Sequence, residues 1–222
     1  MHIVSVKMGA EGDLRRVELS DGAVFLLRMC YLSPALADEG LFDMGSFGAM
    51  GDAEGRELGE GDLEGLRFAA ACFRAEKAAL QLVARAEQTA WGLQRKLGKR
   101  RHDSDCAGAA IARLCELGLL DDGRYARLWL ESRISRQAAS PMRLLASLRA
   151  KGIGRDDAEE ALRKALDAEA ELQLLERFLQ KQRHRLGRKG MEEGSDAERR
   201  ALKYMLKSEG FSSLAIEQFF DE

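Results

Sequence analysis

The sequence predicts a mainly helical fold: tandem three-helix repeats, in three copies, form an elongated curved array preceded by a small antiparallel β segment. Three observations predict it. Leucine pairs four residues apart recur three times along the chain, a similar break follows each pair, and only two prolines occur in 222 residues.

The β segment comes first. Residues Ile3 to Lys7 alternate in polarity, Leu14 to Leu19 do so less cleanly, and Ala23 to Leu27 follow a turn at Ser20-Asp21-Gly22. Asp-Gly between apolar runs is a strong hairpin signal, because both turn positions need positive φ. From Gly40 to Gly65 the chain is rich in glycines and acids, with little periodic apolar content until Leu63, which predicts a loop or mobile linker.

The repeats follow. With Leu97, Leu148 and Leu206 in register, each has a leucine four residues earlier, at Leu93, Leu144 and Leu202. Five residues after each anchor stand His102, Ile153 and Phe211; ten after stand Ala107, Ala158 and Ile216; fourteen after stand Ile111, Leu162 and Phe220. The spacing of four in the trailing positions predicts a second helix. Gly152 and Gly210 fall in the turn, where a left-handed position suits a residue without Cβ, and Arg101 takes that place in the first copy. A longer helix precedes each pair, over Leu63 to Ala84, Asp121 to Gln137 and Ala168 to Leu186. Thr89 and Ser140 are candidate N-caps, and Ser195 or Asp196 is the shifted counterpart in the third copy. The divisions that result are 1–62 for the β segment with its acidic glycine-rich loop, and 63–120, 121–166 and 167–222 for the repeats. Stacking such units would extend a binding surface.

Composition narrows the function. Hydrophobic residues make up 45% and charged residues 32%, which excludes collagenous and wholly disordered classes. The net charge of −2 conceals two opposite ends: residues 1 to 66 carry 5 Lys/Arg against 13 Asp/Glu, and the rest carry 30 against 24. Cys30, Cys72, Cys106 and Cys115 form no CxxC pair and read as reduced core thiols. His2, His102 and His184 are too scattered for a metal-binding helix, and His102 sits at an apolar repeat position. No GxxxxGK[ST] or strand-fed GxGxxG pattern occurs. Asp121/Asp122 and Asp156/Asp157 lie at expected helix starts, where capping and the macrodipole account for them. The reading is therefore a non-enzyme without cofactor or metal. With no long apolar run and no leader pattern, a cytoplasmic protein without membrane contact is expected, and a monomer is the expected state, which nothing in the residues decides.

What is left is basic charge on helix surfaces. Arg95 and Lys99 lie opposite the Leu93/Leu97 stripe, with Lys96, Arg100 and Arg101 alongside. The second repeat supplies Arg124, Arg127, Arg133, Arg136, Arg143, Arg149 and Lys151, and the third supplies Lys181, Arg183, Arg185, Arg188 and Lys189. Either these form an ordinary solvated face or they bind a partner. Arg133 is sharper, because it continues the apolar side formed by Tyr125, Ala126, Trp129 and Leu130. A guanidinium there needs an internal ion pair, with Asp122 as candidate, or a carboxylate or phosphate across a groove.

The run Gly118-Leu119-Leu120-Asp121-Asp122-Gly123-Arg124-Tyr125-Ala126, then Arg133, then Leu148-Arg149-Ala150-Lys151-Gly152-Ile153, resembles the central repeat of RecX proteins. Leu82-Val83-Ala84-Arg85-Ala86-Glu87-Gln88-Thr89, followed by Leu93 and Lys96-Leu97, is similar to the family's first helical hairpin, and the Asp21-Gly22 hairpin is similar to the front end of some members. Departures are Ala138, Ala139 and Ser140 before Pro141, where the family often has glycines, the weakly matching third repeat with Gly187 to Gly194, and the Gly45 to Gly61 insertion. The resemblance implies a regulator that lodges in the groove of the RecA filament, formed with single-stranded DNA and ATP, and inhibits ATP hydrolysis and strand exchange. Arg95, Lys99, Arg124, Arg127, Arg133, Arg136, Arg143, Arg149 and Lys151 are the candidate partner-binding residues, and weak nonspecific DNA contact is compatible with them. Two other readings stand beside it. Leu93 to Ile111 also describes a DNA-binding helix-turn-helix, though Gln and Asn are scarce on its second helix, and the repeats alone would suit a scaffold.

Overall fold

The computed structural model describes residues 1–9, 11–33, 36, 55–186 and 196–221. Of the expected loop over Gly40 to Gly65, residues 40–54 lie outside the described residues, as do the break from Gly187 to Gly194 and the candidate cap Ser195. So do Arg188, Lys189 and the side chains of Arg183 and Arg185.

Three strands, β1 (Ile3–Met8), β2 (Leu14–Leu19) and β3 (Val24–Arg28), form an antiparallel sheet in that order. Val6, Val17 and Phe25 stand side by side across it, with Val6 and Val17 buried. At the β2–β3 turn only Gly22 has positive φ, at 83°, and Asp21 instead accepts a hydrogen bond from the Ala23 amide at 3.0 Å. The connection is thus a three-residue loop closed by the Leu19 amide on the Ala23 carbonyl at 2.9 Å, not a two-residue turn with two left-handed positions. Gly55 to Leu58 runs beside β1, with the Ile3 amide donating to the Arg56 carbonyl at 3.1 Å and the Leu58 amide to the Met1 carbonyl at 2.7 Å.

Nine helices follow among the described residues. They are α1 (Glu60–Val83), α2 (Ala90–Lys99), α3 (Ser104–Glu116), α4 (Asp122–Arg136), α5 (Pro141–Arg149), α6 (Arg155–Ala165), α7 (Ala168–Leu186), α8 (Asp196–Ser208) and α9 (Ser213–Asp221). The chain is therefore mainly helical behind a small antiparallel sheet, as the patterning predicts. α1 starts three residues before the expected Leu63, because Asp62 accepts a hydrogen bond from the Gly59 amide at 2.9 Å and fixes the first turn earlier. The chain divides into two compact units, Met1–Leu120 and Asp121–Glu222.

The repeat register appears as identical turn chemistry. The amides of His102, Ile153 and Phe211 each donate to the carbonyl of the anchor leucine five residues back, at 3.2 Å in all three copies. The residue before each is left-handed: Arg101 at φ 63°, Gly152 at 85° and Gly210 at 90°. This is the turn that closes a helix by pairing its last free carbonyls. Leu97, Leu148 and Leu206 are wholly buried, each contributing about 2 kcal/mol of apolar transfer. Leu93 and Leu144 are buried as well, whereas Leu202 and Phe220 in the third copy are only half-buried.

Side chains cap most helix starts. Thr89 accepts from the Gly92 amide at 3.0 Å, Asp121 from Arg124 at 2.8 Å, Asp167 from Ala170 at 2.8 Å and Ser212 from Ala215 at 3.1 Å. Ser140 does not cap α5. It is fully buried and donates to Glu209 Oε2 at 2.5 Å, while the Met142 amide donates to the Glu209 carbonyl at 3.0 Å. The hydroxyl expected to serve its own helix is thus taken by the helix end of the next repeat. Pro141 at the first helical position removes one of the amides that a cap would satisfy.

In the first unit the sheet, α1 and α3 share one core. A charge network crosses it. Arg28 donates from Nε to both Glu76 oxygens, at 2.9 and 3.1 Å, and from Nη1 to Asp13 at 2.6 Å, with Glu11 on Nη2. Tyr31 donates to Glu76 at 2.8 Å, and Arg113 donates to Asp13 at 2.9 Å and to the Cys30 sulfur at 3.2 Å. Burial opposes the charge on Arg28, but the surrounding carboxylates outweigh it and hold the guanidinium above its ordinary range. All four cysteines are free; Cys72 and Cys106 are buried as expected, whereas Cys30 and Cys115 are exposed. Cys30 follows the last strand in a short 3-10 turn, and Cys115 lies beside inward-facing Leu114 on α3.

Candidate partner-binding surface

The first unit holds two of the nominated cations. Leu93 and Leu97 turn inward on α2, which leaves Arg95 and Lys99 exposed. Arg95 Cζ lies 4.6 Å from the centroid of Trp91, one helical turn back, and Trp91 is itself 46% exposed. Indole and guanidinium form one stacked surface element there.

The second unit holds the rest, on two sides of α4, along α5 and in the turn after α5. Ala126, Leu130 and Ile134 are its buried stripe. Tyr125, Trp129, Arg133 and Arg136 flank one border at spacings of three and four, whereas Arg124 and Arg127 fall on the other side. On the first border the structure brings two nominated residues together. Arg133 Cζ lies 5.5 Å from the Trp129 centroid, and Lys151 Nζ lies 5.6 Å from the same ring and 6.0 Å from that of Tyr125. Lys151 stands in the turn after α5, where its amide donates to the Leu148 carbonyl at 2.9 Å just before the left-handed Gly152.

The remaining residues do not join this pair. Arg127 lines a groove of about 150 Å³ with Asp157, Glu160 and Lys164. Glu160 is already paired with Lys164 at 2.6 Å, with Arg127 a further cation acting on it. Arg143 faces Glu209 at 3.9 Å. Arg124 is half-buried at the start of α4, and Arg136 and Arg149 are exposed in the last turns of α4 and α5. A larger groove of about 570 Å³, bordered by Glu131, Gln173, Glu176 and Arg177, contains none of the nominated cations.

The proposed Arg133 ion pair with Asp122 is not formed. Eleven residues along a helix separate Cα atoms by about 16 Å, beyond the combined reach of the two side chains. Arg133 is instead accommodated by an aromatic face, which needs no carboxylate. Patterning placed Trp129 simply on the apolar side; its role as a platform for two cations depends on Lys151, 22 residues away. A further cation-on-ring element, Arg199 and Lys203 at 5.2 and 5.0 Å from Phe220, lies outside the residues that patterning singles out. Its signal was available, since Arg199 and Lys203 are spaced four apart on α8. Among the described residues no three His, Cys, Asp or Glu side chains group as a metal site, and no helix is long and apolar enough to cross a membrane.

Comparison with known proteins bears on the same region. The family model for the second three-helix domain of RecX matches residues 121–162, which span α4, α5 and most of α6. A regulatory protein RecX of Treponema pallidum is 37% identical over 118 residues, covering 53% of this chain and 72% of that protein. One from Mycobacterium avium is 32% identical over 139 residues, covering 62% and 78%. Among solved structures, a regulatory protein RecX superposes over 100% of this chain and 99% of its own with a TM-score of 0.65 at 19% identity, a likeness of fold. The extent of the sequence match to the Treponema protein, together with the match to the second three-helix domain, establishes that this chain belongs to the RecX family of regulatory proteins.

Proposed function

We propose that this chain binds the RecA recombinase in its filament on single-stranded DNA and ATP, and lowers ATP turnover and strand exchange. It acts by occupancy, as a cytoplasmic monomer without catalysis of its own. The observation that carries this reading is the convergence of Arg133 and Lys151 on Trp129, inside the segment that the RecX domain model matches. Two cations held by one indole are preorganised for a carboxylate or phosphate on a partner, because less rotamer freedom is lost on binding. Arg95 on Trp91 is a comparable element in the first unit. The exposed Arg136, Arg143 and Arg149 add steering toward an acidic, DNA-loaded filament.

The test is ATP turnover by RecA filaments on single-stranded DNA, titrated with this protein. Inhibition is expected, and Arg133→Glu/Lys151→Glu should raise the half-inhibitory concentration at least about tenfold, equivalent to about 1.4 kcal/mol of contact. Reversing Arg124, Arg127, Arg133, Arg136, Arg143, Arg149 and Lys151 together should abolish it; unchanged inhibition would refute the assignment. Binding to naked DNA should be weak, sequence-blind and steeply salt-dependent.

A further inference from the structure

Cys72 on α1 and Cys106 on α3 both lie in the core that the sheet shares with these helices, with exposures of 0% and 3%. The Cys106 thiol donates to the Phe68 carbonyl at 3.8 Å. Phe68 is four residues before Cys72, so this carbonyl belongs to the helical turn that ends at Cys72. Side chains on a helix tilt toward its N-terminus, so the Cys72 side chain lies along the same turn that the Cys106 thiol meets. Two thiols that share one helical turn in the packed core of α1 and α3 are neighbours that a disulfide could join. We propose that Cys72 and Cys106 form a modification site, a dithiol that a peroxide converts into a disulfide joining α1 to α3.

The step balances. Cys106, the only one of the two with residual exposure, attacks a peroxide oxygen as its thiolate. The O–O bond breaks, the departing alkoxide or hydroxide takes up the thiol's proton, and Cys106 becomes a sulfenic acid. The Cys72 sulfur then attacks the Cys106 sulfur, the S–S bond forms, the S–O bond breaks, and the hydroxyl leaves as water with the Cys72 proton. One peroxide has accepted two electrons and two protons.

Burial pushes the Cys72 thiol up, and the neighbouring Cys106 adds to this, so its thiolate is scarce while the core is closed. The reaction therefore proceeds through transient separation of α3 from α1, and is slower than oxidation of an exposed thiol. The cross-link closes a loop of 34 residues and restricts the unfolded chain.

The full-length Cys30→Ser/Cys115→Ser variant keeps only this pair. It is treated with hydrogen peroxide, then unfolded in N-ethylmaleimide and weighed intact. The expected product has lost about 2 Da, carries no maleimide and yields a linked Cys72/Cys106 peptide on digestion. Its thermal midpoint should lie above that of the reduced sample and return with dithiothreitol. Two maleimide additions after exhaustive oxidation, sulfinic or sulfonic acids without the linked peptide, or cross-links between chains would each overturn the proposal. Mapping the oxidised wild-type chain is an independent check: the intramolecular link must join Cys72 to Cys106 and disappear in Cys106→Ser, whereas a Cys30/Cys115 link in its place counts against it.

Discussion

Arg28 at the end of the sheet donates from one Nε to both oxygens of Glu76, 48 residues later in the middle of the first long helix. Both side chains are almost fully enclosed, and the contact fastens the sheet to the helix. A buried pair of this kind is a weak source of net stability, yet losing one partner strands the other. Glu76→Gln keeps the shape and removes the charge. It should cost about 3 kcal/mol in urea unfolding, moderated by the Asp13 and Glu11 carboxylates that Arg28 retains.

Tyr31 adds a pH dependence. Burial, and then its hydrogen bond to Glu76, hold the phenol well above the usual tyrosine range. The unfolded phenol titrates near 10, so the stability gained from keeping this proton is complete below about pH 10 and is lost as the pH rises beyond it. The urea midpoint of the wild-type chain should fall more steeply across that range than that of Tyr31→Phe. Equal slopes would show that Tyr31 ionises freely in the folded chain.

Arg101 holds the left-handed position that glycine holds in the other two repeats. Arg101→Gly should therefore raise stability by about 1 kcal/mol, and Gly152→Ala should lower it by a comparable amount. Differential scanning calorimetry of both variants checks the pair of signs; a destabilised Arg101→Gly would mean that the arginine side chain contributes more than its backbone strain removes.

The leucine register predicts graded costs. Leu97→Ala, Leu148→Ala and Leu206→Ala should each lose about 3 kcal/mol, since all three sites are closed. Leu202→Ala should lose clearly less than Leu93→Ala or Leu144→Ala, because Leu202 is only half-buried. Equilibrium unfolding of the six variants would establish the order.

What could be read from the residues was local and periodic. The leucine pairs, the turn positions after them and the caps at Thr89 and Asp121 each depend on neighbours within a few residues. Their spacing states the helix face or the turn directly. The contacts that escaped are those whose partners come from distant segments. Ser140 looks like a cap until Glu209 takes its hydroxyl. Arg133 looks as if it needs an acid, and although its ring Trp129 stands one turn away, the second cation on that ring, Lys151, comes from beyond the next helix. Glu76 interrupts the apolar stripe of its helix as Arg133 does, so the same signal marked it, but nothing nearby names Arg28, Tyr31 or Arg113 as its partners. The candidate surface was thus legible as a set of cations, and not as the one pair that shares a ring.

The clasp between Ser140, Met142 and Glu209 has a kinetic consequence. The Met142 amide is one of the first in its helix, where solvent would ordinarily exchange its hydrogen within moments, yet it is bound to a carbonyl supplied by the following repeat. Its protection therefore reports on a contact outside its own helix. In a deuterium-labelling experiment this single amide would time the detachment of the C-terminal helices, ahead of any wholesale unraveling of the chain.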